Sequence, residues 1–215
     1  MNGPRPGRLW VVAGTGTDVG KTWSACALAR EVRARGLVVA ARKPAQSFEA
    51  GPTGEPLEPT DAELLAEATG EDPRSVCPMH RWYPVAMAPP MAADALGRPP
   101  IALADLHKDI GWQAGVDLGF VETAGGVRSP MTHDADNLAL ARLLEPDLTV
   151  LVANSELGTI NATRLAAEAL RPLDVTILMN RYDPTQELHV RSRRWLEEHD
   201  GYRIFTDPLH LPIGI

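Results

Sequence analysis

The chain of 215 residues suits one α/β domain, and its 28 acidic side chains outnumber 21 lysines and arginines to give a formal net charge of −7. Lysine and arginine form no block, which argues against a nucleic-acid partner. No apolar run approaches the ~18 residues of a membrane span, and the polar start MNGPRPGR lacks the pattern of a secretory leader. We therefore expect a cytoplasmic, single-domain protein over 1–215, with a flexible start at 1–7 and without nucleic-acid or membrane partners.

The two cysteines, Cys26 and Cys77, have no CxxC spacing and no histidines clustered around them. This pattern predicts neither a disulfide framework nor a zinc site. Cys26 falls in a predicted helix, and we expect it in the core.

In chain order, apolar runs of strand length mostly alternate with segments of helix length. The runs lie at 8–14, 37–41, 117–122, 148–153, 175–180 and 202–205. Those that read LTVLVA and VTILM are apolar on both faces, as in a parallel sheet covered by helices on both sides. The alternation predicts an α/β fold with a doubly wound, mostly parallel sheet, helices on both faces and a single domain.

Helix signals fall between these strands. The segment 22–36 follows the first strand, and 159–172 runs from a polar start to a proline stop. Thr60 and Glu63 form a capping box that opens a helix closing at Gly70. The segment 81–100 is rich in proline, and we expect a loop or an extended segment over the sheet there.

A glycine-rich loop, GTGTDVGKT at 14–22, stands between the first strand and the first helix. Glycines let consecutive backbone N–H groups face one anion, and the following helix adds the positive end of its dipole. Lys21 can reach the outer phosphates of a nucleotide, and the Thr22 hydroxyl can ligate Mg²⁺. A strict Walker A motif has glycine at the position of Thr15, so with Gly14 as the nearest upstream glycine the loop is one residue longer. The motif predicts a nucleotide phosphate site.

Three polar side chains stand at the carboxyl ends of predicted strands, where ligands gather in open α/β sheets. Lys43 follows the second strand, Glu122 ends the third and Asn180 ends the fifth. Beside a phosphate loop, Lys43 favours an anion contact over a solvated surface charge. Glu122, followed by the tight turn Thr-Ala-Gly-Gly, is a reasonable ligand for Mg²⁺ or its water. Asp61, in the first turn of a helix, fits a metal ligand and a helix-dipole role equally well.

In their order along the chain these motifs resemble those of the dethiobiotin synthetase family, from about residue 8 to 208. The family's extended loop GTxTxVGKT appears as GTGTDVGKT, its KPxxSG segment as KPAQSF and its EGAGG loop as ETAGG. Its acidic residue before the second helix appears in TDAELL, its PMAP-type substrate loop in YPVAMAPPMAA and its LGxxNH segment in SELGTINAT. The resemblance implies a P-loop NTPase fold and the use of ATP and Mg²⁺.

The resemblance also implies roles for individual residues. Lys21, Lys43 and Thr17 would be catalytic, and Thr22, Asp61 and Glu122 would surround Mg²⁺. The residues implied to bind ATP, with Asn180 reading adenine, are Gly16, Asp18, Val19, Gly20, Lys21, Thr22, Trp23, Asn180 and Pro208. Those implied to bind the substrate are Ser47, Thr123, Ala124, Gly125, Gly158, Thr159, Ile160 and Asn161.

In the reaction that the resemblance implies, CO₂ is captured as a carbamate on one amine of 7,8-diaminopelargonate. The carbamate oxygen attacks the γ-phosphate of ATP, and the second amine closes a cyclic urea with release of phosphate. Positioning and charge neutralisation suffice for such a transfer, without a protein nucleophile. In the family, the helix start matching 159–161 comes from a second subunit and receives the substrate carboxylate, which implies a homodimer with shared active sites.

Three positions depart from the family pattern. Phe48 replaces the glycine of KPxxSG, Thr123 replaces the first glycine of EGAGG, and Ala162 replaces the histidine after Asn161. The sequence stops at Ile215, so we expect the family's last helix to be short or absent and the adenine side to be more open. These departures leave open a divergent relative that carboxylates and cyclises another amine.

Two other classes are weighed against this interpretation. Amide-forming relatives such as the cobyrinate-type amidotransfer synthases usually carry a glutaminase domain, for which 215 residues leave no room. ATPase switches of the MinD and ParA type carry a signature lysine that would fall at position 16, which is Gly16 here. The chain also lacks a terminal amphipathic basic helix and a basic patch. Dependence of ATP turnover on bicarbonate and a diamine, or on a membrane or DNA surface, separates these classes.

Overall fold

The computed structural model describes residues 4–211 of the chain. In chain order its strands are β1 (Arg8–Gly14), β2 (Val39–Arg42), β3 (Gln46–Ser47), β4 (Trp82–Tyr83), β5 (Leu118–Glu122), β6 (Leu148–Ala153), β7 (Val175–Met179) and β8 (Ile204–Phe205). Six of them form one sheet in the order β2-β5-β1-β6-β7-β8, and every neighbouring pair in it is parallel. The remaining two, β3 and β4, pair with each other.

The helices lie between the strands, as the alternating pattern predicts. They are α1 (Lys21–Ala34), α2 (Asp61–Thr69), α3 (Pro73–Val76), α4 (Pro89–Ala95), α5 (Leu103–Asp109), α6 (Asn137–Leu144), α7 (Thr159–Leu170) and α8 (Glu187–Glu198). Single 3₁₀ turns lie at Met79–Arg81 and Pro208–His210. Among the helices described for residues 4–211, none is long and apolar enough to cross a membrane.

The sheet separates two hydrophobic cores, because successive side chains of a strand point to opposite faces. Leu9 and Val11 of β1 belong to the core that includes side chains of α6, α7 and α8. Trp10 and Val12, between and after them, belong to the core that includes side chains of α1 and α2. The predicted doubly wound, parallel α/β fold with helices on both faces is confirmed.

Details of the helices follow the local signals. Thr60 and Glu63 form the predicted capping box at the start of α2, and Gly70 ends that helix with φ 80°, in the left-handed region that glycine favours. Cys26 on α1 is buried as predicted, and both it and Cys77 are free thiols.

Two predicted strands are too long at their N-terminal ends. The second begins at Val39 rather than at 37, because the N–H of Leu37 still bonds to the carbonyl of Val32 at the end of α1. The last begins at Ile204 rather than at 202, because the N–H of Tyr202 bonds to the carbonyl of Leu196 in α8. Apolar residues that close a helix onto the core look like strand residues in the sequence.

The expected loop or extended segment at 81–100 is wrong over Pro89–Ala95, where α4 forms. Pro89 and Pro90 lie in the first turn of this helix, where a missing N–H costs no hydrogen bond. The short helix then buries Ala92 and Ala93 in the core.

The predicted flexible start at 1–7 lies partly outside the described residues, since residues 1–3 are not among them. In the described part, the Arg5 side chain donates to the carbonyl oxygens of Leu144 and Glu145, and the N–H of Gly7 donates to the carbonyl of Val116. The expectation about a last helix falls partly on residues after 211, which also lie outside the described part.

Candidate active site

The loop between β1 and α1 contains two residues with positive φ, one of which is a glycine. Asp18 has φ 56° and Gly20 has φ 94°, both in the left-handed region. Gly20 also has no room for a side chain, because a Cβ atom there would stand 1.9 Å from Nδ2 of Asn180. Directly after Gly20, α1 begins at Lys21, so the positive end of the helix dipole follows the loop without a gap.

Four side chains meet at the edge of the sheet beside this loop. Oγ1 of Thr22 lies 2.8 Å from Oδ1 of Asp61 and 2.9 Å from Oε1 of Glu122. Nζ of Lys43 lies 2.5 Å from Oδ2 of Asp61 and 2.6 Å from Oε1 of Glu122. They come from the starts of α1 and α2 and from the ends of β2 and β5. Strands in parallel place their carboxyl ends at one edge, which brings these distant residues together.

Burial and charge act against each other on Lys43 and Asp61. Burial disfavours the ammonium of Lys43, but the carboxylates of Asp61 and Glu122 outweigh it and raise its pKa above the ordinary value. Burial likewise disfavours the carboxylate of Asp61, but Lys43 and the Thr22 hydroxyl hold its pKa below the usual range. Both groups therefore carry their charge at neutral pH.

Glu122 is the exception in this cluster. Its burial raises its pKa above the ordinary value, and the nearby Asp61 carboxylate adds to that rise despite the opposing effect of Lys43. One of its oxygens, Oε2, is buried and has no hydrogen-bond partner among the described residues. A further cation beside Glu122 would satisfy that oxygen and favour the ionised carboxyl.

The residues present fit a magnesium ion by their chemistry. Mg²⁺ is held by one or two carboxylates, keeps several waters and takes further oxygens from substrate phosphates. Thr22, Asp61 and Glu122 offer a hydroxyl and two carboxylates, and the unpartnered Oε2 of Glu122 leaves a donor atom for the ion. No cluster of three or more His, Cys, Asp or Glu side chains able to hold a metal lies within residues 4–211.

Lys21 stands apart from the paired cation at position 43. Its Nζ donates to the carbonyl oxygen of Gly16 at 2.9 Å, so the side chain folds back over the loop. Burial and the positive charge of Lys43 lower its pKa from the ordinary value. An anion bound at the loop would supply the counter-charge that Lys21 lacks.

A cleft of about 920 Å³ opens over the loop and the charged cluster. Such a volume falls in the range of small-molecule sites. The predicted site residues that line this cleft are Thr17, Asp18, Gly20, Lys21, Thr22, Lys43, Ser47, Asp61, Glu122, Ala124 and Gly125.

Other predicted nucleotide-binding residues support the loop rather than line the cleft. Gly16 gives its carbonyl to Lys21, and the side chain of Val19 lies in the core. Nδ2 of Asn180 donates to the carbonyl of Val19 at 3.0 Å, so the amide expected to read adenine anchors the loop in this structure. Trp23 is exposed on α1, and Pro208 is buried in a 3₁₀ turn.

The predicted substrate-binding residues are divided between two places. Thr123 is buried beside the cleft, where its N–H donates to the carbonyl of Val12. The segment 158–161 lies at the start of α7 and does not line this cleft. There Gly158 has φ 97°, and Thr159 donates its hydroxyl to the carbonyl of Asn154. Their role in the site of a second subunit stays a prediction.

The structure adds cleft residues to which the motifs assigned no individual role. Gln46 is buried, and its Oε1 accepts a hydrogen bond from the N–H of Ala62 at 2.9 Å. Ala62 is the residue directly after Asp61. Arg181 follows Asn180 at the end of β7. The only sequence signal for Gln46 and Arg181 is their position next to singled-out residues. The other cleft residues added by the structure include Leu57, Met87 and Ser129.

The cleft has an apolar wall on the side of β3 and β4. The ring of Phe48 meets that of Trp82 edge to face, with centroids 6.2 Å apart. The Ser47 hydroxyl donates to the carbonyl of Met87 at 2.5 Å, which ties the strand to the segment before α4. Phe48 lines the cleft with its ring against Trp82.

Comparison with known proteins identifies relatives of this chain. The family described as an AAA domain matches residues 8–206. The ATP-dependent dethiobiotin synthetase BioD of Caulobacter vibrioides (strain NA1000 / CB15N) is 41% identical over 169 residues, which cover 77% of this chain and 75% of that protein. The protein of the same name from Anaeromyxobacter dehalogenans (strain 2CP-C) is 40% identical over 182 residues, or 82% of this chain and 78% of that protein.

Solved structures support the fold. The cell division protein FtsY of Thermotoga maritima matches with a TM-score of 0.54 at 20% identity, over 95% of this chain and 62% of that chain. At this identity the similarity concerns the arrangement of strands and helices alone.

Proposed function

The chain belongs to the ATP-dependent dethiobiotin synthetase family, and from that membership we propose that it carboxylates 7,8-diaminopelargonate and closes a cyclic urea, using ATP and Mg²⁺. The observation that carries this proposal is the meeting of Lys21, Thr22, Lys43, Asp61 and Glu122 at one edge of the sheet, under a cleft of about 920 Å³. A phosphate loop, two lysines and two carboxylates are the groups that a phosphoryl transfer requires.

The proposed reaction balances without a protein nucleophile. One amine of the substrate adds to CO₂ and loses a proton to give a carbamate. A carbamate oxygen attacks the γ-phosphorus of ATP, and ADP leaves. The second amine then attacks the carbonyl carbon of the carbamic–phosphoric anhydride. Its N–C bond forms, the C–O bond to phosphate breaks, and the amine releases a proton to solvent as the cyclic urea forms. Each step needs aligned reactants and neutralised charge.

The chain's own residues supply that alignment and charge. Lys43, held protonated by its two carboxylates, places a fixed positive charge where the carbamate meets the γ-phosphoryl group. Lys21, whose ammonium lies over the loop, would neutralise the outer phosphates, and those phosphates would in turn oppose the lowering of its pKa by burial and by Lys43. Thr22, Asp61 and Glu122 would hold Mg²⁺, which when bound neutralises charge on the phosphate oxygens.

A homodimer with shared active sites is part of the proposal. The start of α7 does not line the cleft of its own chain, yet Leu157 beside it is 87% exposed, which suits a surface that a second copy covers. A helix N-terminus there would receive the substrate carboxylate. Mixing a Lys21→Ala variant with a Thr159→Trp variant tests this, because hybrid dimers would regain one intact site. No recovered activity on mixing would contradict shared sites.

A cytoplasmic location of the protein remains a prediction.

The decisive experiment is product analysis by mass spectrometry. The protein is incubated with MgATP, labelled bicarbonate and 7,8-diaminopelargonate, and phosphate release is followed in parallel. We expect labelled dethiobiotin and phosphate release that depends on the diamine. Binding of ATP without that product would overturn the substrate while leaving the phosphate site in place.

A second candidate, carboxylation and cyclisation of a different amine, is favoured by one observation. The Phe48 ring, fixed on Trp82, occupies space that a glycine would leave open in the cleft. A panel of diamines that differ in chain length and carboxylate position, assayed by phosphate release, distinguishes the two candidates. The MinD and ParA alternative gains no such support, since position 16 is glycine.

A further inference from the structure

Arg181 is a cation in the cleft that the proposed reaction does not use. It directly follows Asn180 after β7 and lines the same cleft as the phosphate loop. It is exposed, and within residues 4–211 its side chain makes no hydrogen bond, ion pair or ring contact. An arginine with all its donors unused at the mouth of a binding cleft is available for a ligand.

The backbone holds Arg181 in an unusual conformation. Its φ is 57°, in the left-handed region that non-glycine residues seldom adopt. The preceding residue is fixed on three sides: Asn180 N–H donates to the carbonyl of Ala153, its carbonyl accepts from the Ser155 hydroxyl, and its Nδ2 donates to the carbonyl of Val19. The chain is therefore forced to turn at 181, and backbone strain of this kind gathers at ligand sites.

The other charges that line the cleft leave a bound anion short of positive partners. Of its two other cations, Lys43 is paired with two carboxylates and Lys21 bonds to the carbonyl of Gly16. Carboxylates outnumber cations in the lining, so a polyanion meets repulsion that an unpaired cation would offset. The lining carboxylates are Asp18, Glu49, Glu58, Asp61 and Glu122.

We propose that the guanidinium of Arg181 binds the phosphate chain of the nucleotide held by the loop 14–22, as a third cation beside Lys21 and Lys43. The inference rests on the proposed use of ATP. Phosphate is favoured over the base because the bond from Asn180 to Val19 places the end of β7 directly beside the loop that leads into α1, where the sequence predicts phosphate binding. The planar fork of arginine also matches two phosphate oxygens at once.

The test compares Arg181→Asn with Arg181→Lys and with the wild-type chain. Asparagine removes the charge yet tolerates a left-handed backbone, so the fold is expected to survive, which thermal melting checks. The matched control is Arg191→Asn on α8, which removes an exposed arginine whose partner is Glu187 in the same helix, at 2.6 Å. Dissociation constants are measured by calorimetry, without diamine, for MgATP and for inorganic triphosphate with Mg²⁺.

We expect Arg181→Asn to weaken both ligands by about tenfold to a hundredfold, the range of a charge-assisted hydrogen bond. Arg181→Lys should recover part of that loss, and Arg191→Asn should stay near the wild type. Unchanged binding by Arg181→Asn, or a wild-type chain that binds neither ligand, would overturn the inference. A loss for MgATP but not for triphosphate would place the arginine on the base or sugar and overturn the phosphate contact. Arginine-dependent binding without formation of dethiobiotin would leave this inference standing while the proposed function fails.

Discussion

The two sides of the cleft differ in how the fold holds them. The charged floor, formed by Lys21, Thr22, Lys43, Asp61 and Glu122, rests on the sheet: Glu122 is 1% exposed and Lys43 is 2% exposed. The apolar wall, formed by Phe48, Leu57, Met87 and Pro89, comes mainly from connecting segments: Leu57 is 61% exposed and Met87 is 46% exposed. Buried groups at the strand ends are held by many contacts, whereas exposed loops accept substitution.

This difference suggests a division of labour. In the proposed function the floor carries the groups of phosphoryl transfer, whose geometry tolerates little change. The wall includes Phe48, where the chain departs from its family, and so could alter the preferred substrate without disturbing the reaction. If that division is correct, variants of the floor change turnover, and variants of the wall change substrate affinity.

The largest effect is expected from Lys21→Ala. It removes the charge that faces the outer phosphates, so we expect turnover to fall by at least about a hundredfold. The fold should be unchanged, because within residues 4–211 the Lys21 ammonium hydrogen-bonds only to the carbonyl of Gly16. Phosphate release measures turnover and thermal melting measures stability, with Lys108→Ala, at an exposed position of α5, as the control. A fully active Lys21→Ala variant would contradict the assignment of residues 14–22 as a phosphate-binding loop.

Lys43 tests whether the floor is a set of coupled charges. Lys43→Met should abolish turnover while nucleotide still binds, and should lower the free energy of unfolding by about 3 kcal/mol, because buried Glu122 loses its partner. The double variant Lys43→Met with Glu122→Gln should regain most of that stability but no activity. Urea denaturation and a nucleotide titration provide the measurements. Normal turnover in Lys43→Met would show that the catalytic role assigned to Lys43 is wrong.

A smaller and more selective effect is expected on the wall. Phe48→Gly opens the cleft beside Trp82. We expect the KM for the diamine to change by about tenfold, the size of effect that a change in a hydrophobic pocket contact usually has on substrate discrimination. The KM for ATP should stay the same, since Phe48 lies among the wall residues rather than on the loop. Phe48→Leu, which keeps an apolar side chain, is the control. Equal changes in both KM values would erase the distinction between wall and floor.

The smallest effect concerns the core beneath the floor. Burial raises the pKa of both Cys26 and Cys77 to about 12, so the reactive thiolate appears only as the pH rises toward that value. At pH 8 the native protein should resist iodoacetamide, and protein unfolded in urea should be alkylated at both sites. Rapid alkylation of the native protein, seen by mass spectrometry, would show that the two thiols become accessible to solvent without unfolding of the protein.

Much of the fold and of the charged floor could be predicted from local patterns. Apolar runs of strand length between helix signals predicted the parallel sheet, because strands covered on both faces must be apolar throughout. The loop 14–22 and two of the three strand-end residues, Lys43 and Glu122, line the cleft, whereas the third, Asn180, bonds to the carbonyl of Val19 instead. Asp61, for which the sequence left a helix-dipole role equally open, meets Lys43 there. The helix α4 was missed because its two leading prolines look like loop residues, although the first turn of a helix accepts them.

The sequence by itself determined the alternation of strands and helices, the phosphate loop and the residue types at the strand ends, since these depend on neighbours in the chain. Only the tertiary structure decided that Gln46 and Arg181 share the cleft with Lys21, and that the pKa of Lys43 rises while that of Lys21 falls. The reason is physical: a pKa and a pocket depend on which atoms lie within a few ångströms, and the order of the strands in the sheet sets those distances.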